Sequence, residues 1–168
     1  SIIAHELFHH WFGDLVTCES WSNLPLNESF ANYSQYLWDE FEYGKMEADM
    51  NAFQEMEGYF LSAQQSGYKD LIRFDYNDKE DMFDGHSYNK GGRILNMLRD
   101  YIGDEAFFDG LKLYLNKHAF KTAEAHDLRI AFEEVSGLDL NWFFNQWFFA
   151  KGHPILEIKQ LYSKEDEL

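Results

Sequence analysis

The chain contains little cysteine, little proline and few basic side chains. Its 168 residues include one cysteine, Cys18, which excludes an intramolecular disulfide and a cysteine-rich zinc finger. With 2 Pro and 11 Gly, it lacks the composition of a disordered or fibrous protein. The composition therefore predicts a globular domain that holds together without covalent cross-links.

Basic residues are also scarce relative to acidic ones. The chain has 14 Lys and Arg against 30 Asp and Glu, which gives a formal charge of −16 at neutral pH. Because a field of this sign repels phosphate backbones, we expect no nucleic-acid partner. The sequence has no run of 18 apolar residues either, so we expect no membrane span in this segment.

Apolar and aromatic residues are abundant, and they follow helical spacing along most of the chain. Phe30, Tyr33 and Leu37, for example, are spaced as the buried side of one helix requires. The predicted helices cover residues 1–12, 27–43, 45–65, 87–101, 104–118, 123–135 and 140–149. Residues 155–161 alternate with period two, which predicts a strand. The predicted fold class is mainly α, with a short strand at the C-terminus.

The strongest chemical signal lies in the pentapeptide HELFH, which places Glu6 between His5 and His9. Residues i and i+4 of a helix lie on the same face, about 6 Å apart along the axis, so the two imidazoles can reach one ion. Neutral imidazole is a preferred ligand of Zn²⁺. Glu6 flanks the ion without being required to bind it, which is the position of a general base that activates water.

A catalytic zinc site uses three protein ligands, so the two histidines need a partner. Glu28 follows His9 after 18 intervening residues, near the start of the helix that we expect Asn27 to cap. Leu15 occupies the position at which an alternative third histidine would fall. Each residue alone is typical of an ordinary helix, including a carboxylate in the first turn. The combination favours one zinc ion held by His5, His9 and Glu28.

These residues resemble the M1 zinc aminopeptidases, a gluzincin family that includes aminopeptidase N and leukotriene A4 hydrolase. The matching stretch reads HELFHHWFGDLVTCESWSNLPLNESFANYSQYLW. Residues 88–91, with the sequence YNKG, are similar to the family's Tyr-Glu-Lys-Gly, and Trp147 with residues 152–154 resembles the end of its catalytic domain. Ser29 and Asn89 differ from the family's usual Gly and Glu.

The resemblance implies a role for each matched residue. His5, His9 and Glu28 would be the zinc ligands, and Glu6 would be the general base. Tyr88 would donate a hydrogen bond to the oxyanion of the tetrahedral intermediate. The implied activity is that of a zinc metallopeptidase that removes N-terminal amino acids from peptides with a free N-terminus, through a metal-activated water.

The resemblance also implies that the chain is a fragment. Residues 1–153 would be the helical portion of a thermolysin-like zincin catalytic domain, and residues 154–168 would begin a following segment or domain. The family's N-terminal sheet, and the segment whose Glu binds the substrate's amino group, would precede Ser1. We therefore expect the isolated chain to have little or no activity without the missing domains of its parent.

Two other functions stay open from the sequence. A related gluzincin with endopeptidase or epoxide hydrolase activity would use the same ligands on another substrate. A non-catalytic zinc-binding module would keep the ligands and act by binding.

Overall fold

The fold is mainly helical, as the sequence predicts. The computed structural model describes residues 2–162. Within them, the α-helices are α1 (Ile2–Phe8), α2 (Pro25–Tyr43), α3 (Lys45–Ser66), α4 (Gly91–Ile102), α5 (Asp104–His118), α6 (Ala125–Ser136) and α7 (Asn141–Trp147). No helix in this part of the chain combines the length and apolarity needed to cross a lipid bilayer.

Helix α2 is the centre of the fold, because α1, α3 and α4 all pack against it. Aromatic rings fill the space between the helices: Phe12 stacks on Phe30 with ring centroids 4.1 Å apart, and Tyr33 meets Phe107 edge-on at 5.8 Å. Complete burial of such a side chain contributes about 1.5–3 kcal/mol. This packing fixes α2 between α1 and the segment that precedes α4.

Helix α1 ends at Phe8, although the sequence predicts that it continues to Phe12. Beyond it the chain forms wide turns, in which the amides of residues 14–16 donate to carbonyls five positions earlier. Gly13 has a φ of +151°, and a Cβ atom there would lie 2.9 Å from the carbonyl oxygen of His9. Only glycine fits this turn, which directs the chain back towards α2.

Two short strands lie where the sequence predicts no strand. Strand β1 (Val16–Cys18) falls in the predicted loop of residues 14–26, and it pairs in parallel with β2 (Lys121–Ala123). Strands of three residues are too short to show alternation, and the partner lies about 100 positions later in the chain. The pair ties the chain leaving α1 to the connection between α5 and α6.

Helix α2 begins at Pro25, two residues before the predicted start. Proline is favoured in the first turn of a helix because its fixed φ suits the helix and its missing N–H would have no helical partner there. The prediction that Asn27 caps the helix is therefore wrong. The side-chain amide nitrogen of Asn27 lies 3.7 Å from the Sγ of Cys18 instead. Glu28 remains in the first turn of α2.

The strand predicted at residues 155–161 is absent. Residues 151–162 have no regular secondary structure, and the side chains of Ile155 and Ile158 are 91% and 85% exposed. A strand needs a partner for its backbone groups, and no segment within residues 2–162 pairs with this one. Residues 163–168, the rest of the predicted following segment, lie outside the described residues.

Candidate metal centre

The three predicted ligands converge at the contact between α1 and α2. The Oε2 of Glu28 lies 3.3 Å from the Nε2 of His5 and 3.4 Å from the Nε2 of His9. Ligand atoms held at about 2.0–2.1 Å from a tetrahedral zinc ion are themselves about 3.4 Å apart. Within residues 2–162, these three side chains are the group whose potential ligand atoms all lie close enough together to hold one metal ion. The donor set and its spacing fit Zn²⁺.

The helices explain why these side chains meet. His5 lies on α1, and His9 follows in the turn directly after it, so the two imidazoles stay on one side with ring centroids 5.0 Å apart. Glu28 is in the first turn of α2, where the positive end of the helix dipole favours a carboxylate. The packing of α1 on α2 brings the carboxylate to the imidazoles.

The charge of the cluster favours a bound cation. Burial alone would raise the pKa of Glu28, but hydrogen bonds from His5 and His9 lower it to about 2. The hydrogen bond to Glu28 raises the pKa of His9, against the effect of its own burial. The carboxylate is therefore ionised near neutral pH and faces two imidazole nitrogens.

Each histidine has a second contact through its other ring nitrogen. The Nδ1 of His9 lies 3.1 Å from the carbonyl oxygen of Phe12, and the Nδ1 of His5 lies 3.1 Å from the side-chain amide of Gln35. An imidazole that binds a metal through Nε2 carries its proton on Nδ1 and donates it to an acceptor. The Phe12 carbonyl meets this need directly. The Nε2 of Gln35 faces His5 in the structure, so Gln35 meets the need after a half-turn of its amide that brings the oxygen to the ring.

Glu6 lies outside the cluster formed by the three predicted ligands. Its side chain is exposed on α1, next in sequence to buried His5. Its negative charge is close enough to help raise the pKa of His9, after the larger effects of Glu28 and burial. A carboxylate beside the cluster but not in it is free to accept a proton.

Tyr88 is brought to the same place by a different part of the chain. It lies in a π-helical turn (His86–Lys90) that leads into α4, where the sequence predicts an α-helix. Its ring stacks on His5 with centroids 6.0 Å apart and planes at 8°. Burial, with the charges of Glu28 and Glu6, raises the pKa of Tyr88 well above its usual value. The phenol is a neutral hydrogen-bond donor beside the cluster.

Asp84 holds the start of this turn, and the sequence prediction did not single it out. Its Oδ1 accepts hydrogen bonds from the amides of residues 86–87, at 3.0 and 3.1 Å. Its Oδ2 pairs with Arg73 at 2.9 Å and with Lys69 at 3.0 Å. An Asp just before a helical segment is a capping signal, so the position of Asp84 before Tyr88 could have indicated this role.

A second contact that the sequence did not predict holds the other side of the π-helical turn (His86–Lys90). Glu55 on α3 accepts hydrogen bonds from the amides of Asn89 and Asn32, the latter at 3.0 Å. A glutamate at position 89 would place two carboxylates together. The departure of Asn89 from the resembled motif therefore fits the presence of Glu55.

A comparison with protein families decides the assignment. The sequence model of one protein family, the peptidase family M1 domain, matches residues 1–147. The chain belongs to peptidase family M1. The resemblance seen in the sequence is thereby confirmed.

Relatives in this family are identical to the chain at more than a third of the aligned positions. It is 36% identical over 161 residues to tricorn protease-interacting factor F2 of Thermoplasma volcanium, covering 94% of the chain and 21% of the relative. It is 39% identical over 159 residues to aminopeptidase N of Streptomyces lividans, covering 92% and 19%. The chain thus spans about a fifth of the length of these curated relatives.

Solved M1 structures have the same fold. The M1 zinc metallopeptidase of Deinococcus radiodurans, with a Tyr-Ser-Ala substrate bound, aligns with a TM-score of 0.75 at 26% identity, over 92% of this chain and 34% of that one. Yeast LTA4 hydrolase in complex with bestatin aligns with a TM-score of 0.82 at 24% identity, over 94% and 27%. The latter is a likeness of fold. The predicted helical M1 fold class is confirmed.

Proposed function

We propose that the full-length protein containing this chain is a zinc metallopeptidase that removes N-terminal amino acids from peptides. The observation that carries the proposal is the convergence of the His5, His9 and Glu28 donor atoms, with Glu6 beside them, in a chain of family M1. Relatives named aminopeptidase N, and the Deinococcus enzyme solved with a tripeptide, support the substrate class.

The metal part of the proposal is one zinc ion held by His5, His9 and Glu28. When bound, the ion supplies a Lewis acid that polarises the scissile carbonyl and lowers the pKa of the attacking water. The carbonyl of Phe12 and the amide of Gln35 orient the two imidazoles for this purpose.

Proton transfer is assigned to Glu6. Its carboxylate takes a proton as water attacks the scissile carbonyl, then donates it to the leaving amine. The exposure of Glu6 supports this role, because a base must be accessible to the reacting water. A carboxylate outside the ligand set is available to the water rather than bound to the metal.

Stabilisation of the oxyanion is assigned to Tyr88. Its neutral phenol donates a hydrogen bond to the charge that develops on the carbonyl oxygen. The stacking of the Tyr88 ring on His5 supports this assignment, because it holds the phenol next to a proposed ligand.

We also propose that residues 1–153 are the helical portion of the catalytic domain and that residues 154–168 begin a following segment or domain. Other domains of the parent would then complete the site and bind the substrate's free amino group. The chain spans about a fifth of the length of its M1 relatives, which supports this arrangement. The 168-residue chain alone is expected to hydrolyse peptides weakly or not at all.

The proposal is tested with the full-length protein, aminoacyl p-nitroanilides and their N-acetylated counterparts. We expect hydrolysis of the free-amine substrates, no hydrolysis of the acetylated ones, and loss of hydrolysis with retained zinc in Glu6→Gln. An active Glu6→Gln protein would overturn the general-base assignment. Cleavage of blocked peptides or of an epoxide would favour another gluzincin activity, and a zinc-loaded but inert protein would favour a binding module.

A further inference from the structure

A buried hydrogen bond joins the ligand helix to the tyrosine segment. The hydroxyl of Ser29 donates to the carbonyl oxygen of Ser87 at 2.7 Å, although 58 positions separate the two residues. Ser29 is 2% exposed and Ser87 is fully buried. Ser29 follows the proposed ligand Glu28 directly, and Ser87 directly precedes Tyr88. The bond therefore connects the immediate neighbours of two proposed active-site residues.

This use of a helical serine is unlike that of other serines in the fold. A serine inside a helix commonly donates to a carbonyl of the preceding turn. Ser34, Ser66 and Ser136 do this, each donating to a carbonyl three or four positions earlier. Ser29 instead donates across to another segment, so its hydroxyl contributes a tertiary contact.

The two segments approach so closely at this bond that glycine is required opposite Ser29. A Cβ atom on Gly91 would lie 1.8 Å from the Oγ of Ser29 and 2.5 Å from its Cβ. A Cβ atom on Gly92 would lie 2.4 Å from the Oδ1 of Asn32. The segment that carries Tyr88 therefore packs directly against α2, with the Ser29 hydroxyl at the point of contact.

We propose that Ser29 is a positioning residue that holds the Tyr88 phenol at its working distance from the metal ligands. The proposal rests on the proposed function, in which Glu28 binds zinc and Tyr88 meets the oxyanion. Ser29 itself touches neither substrate nor metal, so its loss should lower kcat and leave KM and zinc binding unchanged. A misplacement of about 1 Å can lower a rate by up to about 10²-fold.

A double-mutant cycle between Ser29→Ala and Tyr88→Phe in the full-length protein tests this coupling. We expect Ser29→Ala to lower kcat by about tenfold or more and to leave KM unchanged. This decrease is a fraction of the loss in rate that a misplaced group can cause. In the Tyr88→Phe background Ser29→Ala should have no further effect, because the phenol that Ser29 positions is gone. An equal effect in both backgrounds, or no effect with Tyr88 present, would overturn the proposal.

The steric fit at Gly91 provides a variant that separates folding from positioning. Gly91→Ala alone collides with Ser29, whereas Ser29→Gly removes both close contacts and leaves Leu71 as the nearest side chain at 3.4 Å. We expect the double variant Ser29→Gly/Gly91→Ala to be more thermally stable than Gly91→Ala alone, because the collision is relieved, and to keep the low kcat of Ser29→Ala. Full recovery of kcat would show that packing alone positions Tyr88.

A measurement independent of hydrolysis completes the test. In protein labelled with 3-fluorotyrosine, the ¹⁹F resonance of Tyr88 is identified as the one that disappears in Tyr88→Phe. We expect Ser29→Ala to shift or broaden this resonance, with zinc present or absent. An unchanged resonance would overturn the positioning role. An inert wild-type protein whose resonance responds to Ser29→Ala would contradict the proposed function and leave the positioning role supported.

Discussion

The side-chain amide of Gln35 lies 3.1 Å from the Nδ1 of His5. Gln35 follows Glu28 by seven positions on α2, which is two helical turns, so both side chains face α1. One helix thus supplies a proposed ligand and the partner that orients another. We therefore expect Gln35 to affect metal affinity without coordinating the metal.

Replacing Gln35 tests this role. Gln35→Leu removes the side-chain amide whose oxygen, once the amide is turned, accepts the Nδ1 proton of metal-bound His5, and loss of such a partner typically weakens metal affinity by about 10–100-fold. Zinc affinity, measured by competition with a chelator, should fall by this amount. Gln35→Glu is the matched control, because its carboxylate still accepts the proton, and it should bind zinc at least as tightly as wild type. Equal affinities in all three proteins would refute the role.

Tyr88→Phe tests the oxyanion donor. The phenylalanine ring keeps the stacking on His5, so zinc binding should not change. Loss of one oxyanion donor typically costs about 10²–10³ in kcat, and we expect a loss of that size in steady-state assays. Tyr101→Phe is the control, because Tyr101 is half-exposed and packs against Trp142, away from the cluster. A Tyr88→Phe rate near that of wild type would make the assignment wrong.

Buried Lys90 predicts a pH dependence of stability. Its Nζ lies 3.4 Å from the carbonyl oxygen of Ala150. Burial lowers the pKa of Lys90 to about 8, with Asp70 opposing the shift and Arg73 adding to it. The pKa of an unfolded lysine is about 10.4. Between these values the unfolded chain binds more protons than the folded one, so the Lys90 contribution to the free energy of unfolding rises with pH.

Lys90→Met isolates this effect from other titrating groups. The stability of wild type relative to Lys90→Met should increase as the pH rises above about 8, the pKa of folded Lys90, towards its unfolded value. The slope should be at most about 1.4 kcal/mol per pH unit. Urea denaturation at several pH values measures the difference. A difference that does not change with pH would contradict the lowered pKa.

The local part of the candidate site was predictable from the sequence. His5 and His9 are four positions apart, and although α1 ends at Phe8, the turn that follows keeps His9 on the side of the helix that the i, i+4 spacing predicts. The placement of Glu28 beside the two histidines follows if α2 runs back along α1. Tyr88 is one of 10 tyrosines, and no spacing singles it out, so only the resemblance to a family motif predicted it.

The contacts that hold the site were not predictable in this way. Ser29 and Glu55 act through partners that are distant in sequence, and β1 pairs with a strand that is more distant still. A period or a spacing describes only neighbours on one element. The strand predicted at residues 155–161 failed for the related reason that alternation does not supply a pairing partner.

The most direct test of the account is the zinc content and zinc affinity of the purified full-length protein and two single variants. His9→Gln removes a proposed ligand, and His10→Gln removes its exposed neighbour, which lies outside the cluster. The account predicts one zinc ion per chain in wild type and in His10→Gln, and loss of tight binding in His9→Gln. Absence of zinc from the wild-type protein, or equally tight binding by His9→Gln, would contradict it.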